Sequence, residues 1–239
     1  RVTQWLDQSG NGHSFTSSGG PELIEEGHLG RDILRFDENS DALVGAIGDE
    51  PMTGATIFSV ARYNVASTTN SYIYSLGARE GGGCYALSRR NGNDSYHFNG
   101  LVEYYGLPVV HDTFHVFSQV YHTEAEGEPY HTLYMDGLDM EVSAVPFPYS
   151  AATTANLTMG NWFEGQNWLQ GDLFEFLIYD RILSDAERFA VEDYLHSRLG
   201  FDRDGDGARD DEDCSPEDPT IFPGALEACD GMDTDCDGA

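Results

Sequence analysis

Turn-forming residues cut the first 200 positions into runs of the length of β-strands, and this segmentation limits the fold more than any other feature. The candidate strands are Asp32–Asp37, Thr56–Arg62, Tyr72–Leu76, Tyr85–Arg89, Ser95–Phe98, Leu101–Tyr105, Phe114–Tyr121, His131–Asp136, Asn156–Gly160 and Leu173–Tyr179. Thr-Ile-Phe-Ser-Val-Ala-Arg, at 56–62, alternates apolar with small or polar residues, as a half-buried strand does. Asn91-Gly92, Asn99-Gly100 and Asp136-Gly137 read as hairpin turns, because Asn, Asp and Gly tolerate positive φ. Many short strands with such turns predict an all-β sandwich or barrel.

One helix interrupts the pattern. Ser184-Asp-Ala-Glu187 is a capping box, and Ala186, Phe189, Ala190, Tyr194, Leu195 and Leu199 form the expected apolar stripe before Gly200 stops it. At Gly200 the composition changes. Residues 1–200 hold 28 acids and 10 arginines, whereas 201–239 hold 14 acids and 2 arginines. The expected organisation is therefore a sandwich over 1–200 and an acidic tail over 201–239. The whole chain has a net charge of −30 with arginine as its sole Lys/Arg-type cation, so nucleic acid and anionic lipid are repelled and divalent cations attracted. No run of about 18 apolar residues is present to insert in a membrane. Arg1 and the absence of a visible signal peptide suggest a processed or excised piece.

Four separated segments carry a family resemblance. They are Val2-Thr-Gln-Trp-Leu-Asp-Gln-Ser-Gly-Asn-Gly12, Gly30-Arg-Asp-Ile-Leu-Arg-Phe-Asp37, Leu133-Tyr-Met-Asp-Gly137, and the stretch from Gly171 through Tyr179-Asp-Arg-Ile-Leu-Ser-Asp-Ala-Glu-Arg188. In that order they resemble the laminin-G-like, concanavalin A-like domain of large secreted bacterial proteins. The resemblance covers roughly 1–199. It implies a jelly-roll sandwich of two antiparallel sheets with one C-terminal helix. The family usually opens with a further strand ahead of the Trp5 segment. Here that strand is expected either outside residues 1–239 or from a neighbouring molecule by strand addition.

Such sandwiches host enzymes and binding modules alike. Retaining glycosidases of related fold place nucleophile and acid on one strand as Glu-x-Asp-x-x-Glu or Glu-x-Asp-x-Glu, with the carboxylates on one face about 5 Å apart. Neither pattern occurs; Glu103 and Glu175 are isolated strand carboxylates, so the expectation is no enzyme. A glycan site is expected instead at Asn161, Trp162, Asn167 and Trp168, where indoles could stack on sugar rings and amides bond hydroxyls. Packing is the competing role for Trp168, and Trp5 is read as structural. Asp37, Asn39 and Asp41 could hold calcium at a loop rim, though a solvated turn is the preferred reading.

The tail has the sharpest chemistry. Asp202-Arg-Asp204-Gly-Asp206-Gly207-Ala-Arg-Asp210-Asp-Glu-Asp213-Cys214 follows the spacing of an EF-hand loop. Asp202, Asp204, Asp206, Asp210 and Asp213 are the expected carboxylate ligands of calcium, with the backbone carbonyl of Ala208 at position 7 and Gly207 at the sharp turn. Asp stands where an EF-hand has Glu, and no second helix is expected. The segment therefore resembles dockerin-type or thrombospondin type 3 repeats. A second cluster, from Pro223 to Gly238, resembles the Asp/Cys metal-binding motif of secreted bacterial proteins. The resemblance implies Asp233, Asp235 and Asp237, with Asp230, as donors. Cys214, Cys229 and Cys236 are disulfide candidates; Cys229–Cys236 and Cys214–Cys229 are both plausible, three pairings of the four cysteines stay open, and a thiolate zinc site is the runner-up.

The functional expectation is a secreted or cell-surface recognition module that binds glycan or a matrix component and carries calcium. A filament or surface-layer subunit that assembles by strand addition is the alternative, and a glycoside hydrolase ranks last.

Overall fold

A computed structural model describes residues 1–17, 19–37, 41–47, 54–64, 70–77, 84–90, 95–99, 103–108, 110–122, 130–140, 156–162, 167–202, 204–210, 212–227 and 231–238. The strands in chain order are β1 (Gln4–Trp5), β2 (Phe15–Thr16), β3 (Glu22–His28), β4 (Arg31–Phe36), β5 (Leu43–Ala46), β6 (Gly54–Tyr63), β7 (Ser71–Gly77) and β8 (Cys84–Arg90). Then come β9 (Ser95–Asn99), β10 (Glu103–Pro108), β11 (His115–His122), β12 (Tyr130–Met135), β13 (Leu138–Asp139), β14 (Asn156–Met159) and β15 (Gly171–Tyr179), followed by helix α1 (Asp185–Leu199). They build two antiparallel sheets, ordered β1-β2-β5-β14-β7-β8-β9-β10 and β13-β12-β11-β6-β15-β4-β3. The fold is a β-sandwich with one helix and a disulfide-bearing C-terminal segment. That helix is not long and apolar enough to cross a membrane.

All ten expected strands are present. Five more were not expected: β1, β2 and β13 are two residues each, β5 is four, and β3 is an edge strand with three glutamates. Their apolar pattern is too brief or too charged to read as a buried strand. Asp136 and Gly137 both take positive φ (51° and 79°) between Met135 and its partner Leu138, which is the two-residue hairpin expected.

Alternate residues of both sheets fill the space between them. Phe36, Leu43, Ile57, Ala61, Tyr74, Leu76, Leu87, Phe117, Leu133, Leu157, Met159 and Leu173 are all fully buried members of one core, and Trp5 packs against it. A polar cluster lies in this core: Gln119 Nε2 donates to Tyr121 Oη at 2.9 Å, Tyr74 Oη bonds Gln119 Oε1, and the two hydroxyls are 3.1 Å apart. Mutual pairing removes the desolvation cost that each group alone would carry.

Helix α1 departs from the expected stripe. Its buried residues are Arg188, Glu192, Leu195, His196 and Leu199, while Phe189 and Tyr194 are about half exposed and Ala186 and Ala190 are exposed. Arg188 and Glu192 are one turn apart and join by two bonds of 2.6 and 2.8 Å, so a charge pair occupies a face that hydropathy alone assigns to water. Arginine guanidinium groups lie over the exposed rings: that of Arg188 is 4.3 Å from the Phe189 ring and that of Arg198 is 5.5 Å from the Tyr194 ring. Gly200, at φ 64°, ends the helix as expected, with Phe201 N bonded to His196 O.

The chain divides into two compact units, Arg1–Ala186 and Glu187–Ala239. The composition boundary near Gly200 falls inside the second, which takes in nearly all of α1.

Candidate functional site

The first acidic loop begins where α1 stops. Phe201 rests its ring on His196, with centroids 4.8 Å apart, and its carbonyl accepts the Asp210 N–H at 2.6 Å, which draws the two ends of the loop together. Within the loop each aspartate turns the backbone around its own carboxylate. Asp202 accepts the N–H groups of Gly205 (2.8 Å) and Gly207 (2.9 Å), Asp204 accepts that of Asp206 (3.3 Å), and Asp206 that of Ala208 (2.8 Å). Gly207 has φ 99° and open space where a Cβ would be, so conformation and not crowding calls for glycine at this position.

These turns point the carboxylates at one another. Asp202, Asp204 and Asp206 each bring an oxygen within 4.8 Å of the others. Oδ2 of Asp204 and Oδ2 of Asp206 are closed to solvent and accept no hydrogen bond from the described residues, and Asp210 supplies a third solvent-inaccessible oxygen. Two buried anionic oxygens that share one small space repel each other and are unpaid in hydrogen bonds. Desolvation accordingly raises the Asp204 pKa, and the charges of Asp206, Asp213 and Asp202 raise it further. A hard cation, smaller than water, suits such a space, and the donor set fits it. Asp213 stands at the far end of the loop, where it caps Ser215 N at 2.8 Å.

The second acidic turn repeats this geometry. Asp233 accepts Asp237 N (3.2 Å) and Gly238 N (3.0 Å), and Asp235 also accepts Asp237 N at 3.2 Å. Its three-carboxylate group is Glu227, Asp233 and Asp235, with oxygens again within 4.8 Å. Glu227 was not among the expected donors. It lies in sequence well before the Asp-x-Asp run and reaches it through tertiary bonds, Phe222 N to Thr234 O (3.0 Å) and Gly224 N to Asp235 O (3.4 Å). Its Oε2 then accepts Thr234 N and Thr234 Oγ1, both at 3.0 Å. No spacing rule in the sequence signals it. Desolvation and the charges of Asp237, Glu227 and Asp233 raise the Asp235 pKa. Asp237 enters this turn as an N–H donor, and Asp230 lies outside the described residues.

The disulfide joins two of the three candidate cysteines. Cys214 pairs with Cys236, with Cα atoms 5.6 Å apart, so neither pairing through Cys229 uses these two sulfurs. The same bonds that fold Phe222 and Gly224 onto Thr234 and Asp235 return Cys236 to Cys214, whose N–H donates to Cys236 Sγ at 3.2 Å. Cys229 lies outside the described residues. With both sulfurs in a disulfide, neither is a thiolate for zinc or copper.

In the sandwich, Trp162 packs against Tyr72 with ring centroids 4.7 Å apart and the planes tilted by 45°. Beside them Asn161 is 4% exposed, and its Oδ1 accepts no bond among the described residues; its backbone carbonyl accepts Ser75 Oγ at 3.1 Å. Asn167, at φ 58°, accepts Tyr72 N through its backbone carbonyl. Trp168 is half-buried and outside the Tyr72–Trp162 pair. Tyr72, Asn161 and Trp162 thus meet at the start of β7, and Asn167 contributes backbone. The solvated-turn reading of Asp37, Asn39 and Asp41 fails at Asp41, which is 1% exposed, takes Arg1 Nη1 at 2.9 and 3.1 Å, and caps Asp37 N. Asn39 lies outside the described residues.

Comparison with known proteins bears on both units. Residues 203–239 match the Cu-binding MopE family, described as "Putative metal-binding motif". No curated protein matches the chain. Trypanosoma rangeli sialidase in complex with sialic acid is similar in fold at TM-score 0.62 and 12% identity, over 80% of this chain and 31% of that one. The botulinum neurotoxin serotype D ligand binding domain in complex with N-acetylneuraminic acid gives 0.61 and 12%, over 81% of this chain and 48% of that one. The binding domain of Paraclostridial mosquitocidal protein 1 gives 0.60 and 12%, over 80% and 49%. This chain therefore spans under a third of the sialidase and about half of each toxin domain. At such identity the likeness is one of fold.

Proposed function

We propose that the chain is a non-catalytic extracellular recognition module whose sandwich binds carbohydrate and whose tail binds calcium. The observation that carries the calcium reading is the pair of solvent-inaccessible Oδ2 atoms of Asp204 and Asp206, unbonded among the described residues, beside Asp202. Asp210, Asp213 and the Ala208 carbonyl would complete an oxygen shell of the size calcium takes. Copper prefers imidazole, thioether or thiolate, whereas the clustered donors here are carboxylates and the disulfide withholds two sulfurs. The second turn, with Glu227, Asp233 and Asp235, would hold a second ion. The disulfide supports an oxidising, extracytoplasmic setting.

Thermal unfolding followed by calorimetry tests the tail. Calcium at about 100 times its Kd is expected to add about 2.7 kcal/mol to whichever unit binds it, and a chelator to remove that gain. Identical transitions in calcium and in chelator would refute the reading.

The carbohydrate reading is supported by the Tyr72–Trp162–Asn161 corner and by a fold shared with a toxin domain that holds N-acetylneuraminic acid. A glycan array with the wild-type chain and Trp162→Ala tests it: wild-type binding lost in the variant supports it, and no binding by the wild type sinks it. Strand-added assembly ranks second. Edge strand β3 carries Glu22, Glu25 and Glu26 and a register irregularity, β10 contains Pro108 and another, and β1 and β13 are two residues long. Such features oppose strand addition.

A further inference from the structure

We infer that the Cys214–Cys236 disulfide is a redox lever on cation binding: the oxidised tail binds the divalent cation tightly at the first acidic loop and the reduced tail does not. The inference rests on the calcium reading of that loop. Cys214 directly follows Asp213, the last expected ligand of the first loop, and Cys236 stands between Asp235 and Asp237 in the second turn. One covalent bond therefore joins the end of one acidic loop to the middle of the other, across 22 residues of sequence. Cys236 has φ 59°, the left-handed region that Gly205 occupies (79°) at the matching place in the first loop. A residue with a Cβ is disfavoured there, and the cross-link adds to the Asp233 and Asp235 hydrogen bonds that hold the turn.

Little else fixes this end of the loop. Leu226, Glu227 and Asp237 are exposed, and among the described residues the bonds that hold Asp213 and Cys214 are Asp213 N to Arg209 O (3.0 Å), Ser215 N to Asp213 Oδ1 (2.8 Å) and Cys214 N to Cys236 Sγ (3.2 Å). A tail with so small an apolar interior depends on its staple for order. Asp213 lies close enough for its charge to act on Asp204, and the staple limits the freedom of its segment. Reduction by a dithiol transfers two electrons and two protons to the cystine, opens the S–S bond to two thiols and leaves the dithiol as its own cyclic disulfide. The Asp213 segment then gains conformational freedom, which cation binding must remove again. By linkage the effect is reciprocal: bound cation must hold the disulfide against reduction by the same factor.

The test uses the full chain. Calcium affinity is measured by titration calorimetry on the oxidised chain, on the chain reduced with dithiothreitol and kept reduced, and on Cys214→Ser with Cys236→Ser. Thiol release by dithiothreitol is followed in parallel with calcium and with chelator. The expected result is a loss of affinity of about tenfold or more on reduction and in the double variant, with calcium shifting the dithiol–disulfide equilibrium toward the disulfide. Affinities equal within twofold in all three forms would overturn the inference and leave the calcium reading intact. An oxidised chain that binds no calcium would overturn the calcium reading itself. Circular dichroism of the double variant separates lost affinity from an unfolded sandwich, and a sandwich lost with the disulfide would also overturn the inference.

Discussion

Asp172 in β15 has no exposed surface, yet it is charged because the strands on both sides supply its counter-ions. Register places it opposite Arg35 of β4 and Arg62 of β6, whose guanidinium nitrogens approach to 2.9 and 2.7 Å, and Asn64 Nδ2 donates at 3.2 Å. Burial pushes its pKa up, but the bonds from Arg35, Arg62 and Asn64 outweigh burial and hold it below the usual carboxylate range. Asp172→Ala removes the acceptor that both arginines share, and a destabilisation of about 2–4 kcal/mol is expected by urea unfolding. A cost below 0.5 kcal/mol would show the row to be decorative. Asp7 makes a different prediction. Hydrogen bonds from Ser9 and from the backbone of His13 lower its pKa from 3.8 to about 2. A depressed acid contributes stability above its unfolded value, and that contribution disappears as pH falls from about 4 toward 2. An NMR titration should give the Asp7 carboxyl a midpoint near 2, and Asp7→Asn should flatten the acid limb of the stability profile in that window.

At the scale of elements, what could be read from sequence followed from local physics. The strands from β6 to β12 are bounded by turn residues and long enough to read, although β6, read as half-buried from its alternation, is buried at nine of its ten residues. The Asp-x-Asp-x-Asp-Gly loop reads too, because its carboxylates bond their own backbone and need no distant partner. What could not be read depends on tertiary bonds. Glu227 joins the second turn only because Phe222 and Gly224 pair with Thr234 and Asp235, and Cys236 finds Cys214 by the same fold. The α1 stripe misled for a related reason: Arg188 and Glu192 look polar and are buried, with side chains 4% and 2% exposed, because each neutralises the other. Arg188→Ala should therefore cost about 3–5 kcal/mol by leaving the Glu192 carboxylate without its guanidinium. Replacement of both by leucine should recover most of that loss in the same unfolding assay. A double variant as weak as the single one would contradict the pairing argument.

Over the whole molecule the net charge of −30 has two origins. In Arg1–Ala186 the buried acids among the described residues, Asp41 and Asp172, have Arg1, Arg35 and Arg62 as counter-ions. In Glu187–Ala239 the acids of the two turns face one another, and the cation that would neutralise them is the centre of the account. The most direct measurement is calorimetric titration of calcium into the oxidised chain and into Asp204→Ala with Asp206→Ala. The account predicts saturable binding by the wild type and the loss of one site in the variant, with the sandwich still folded. Equal stoichiometry and affinity in the two chains would contradict it.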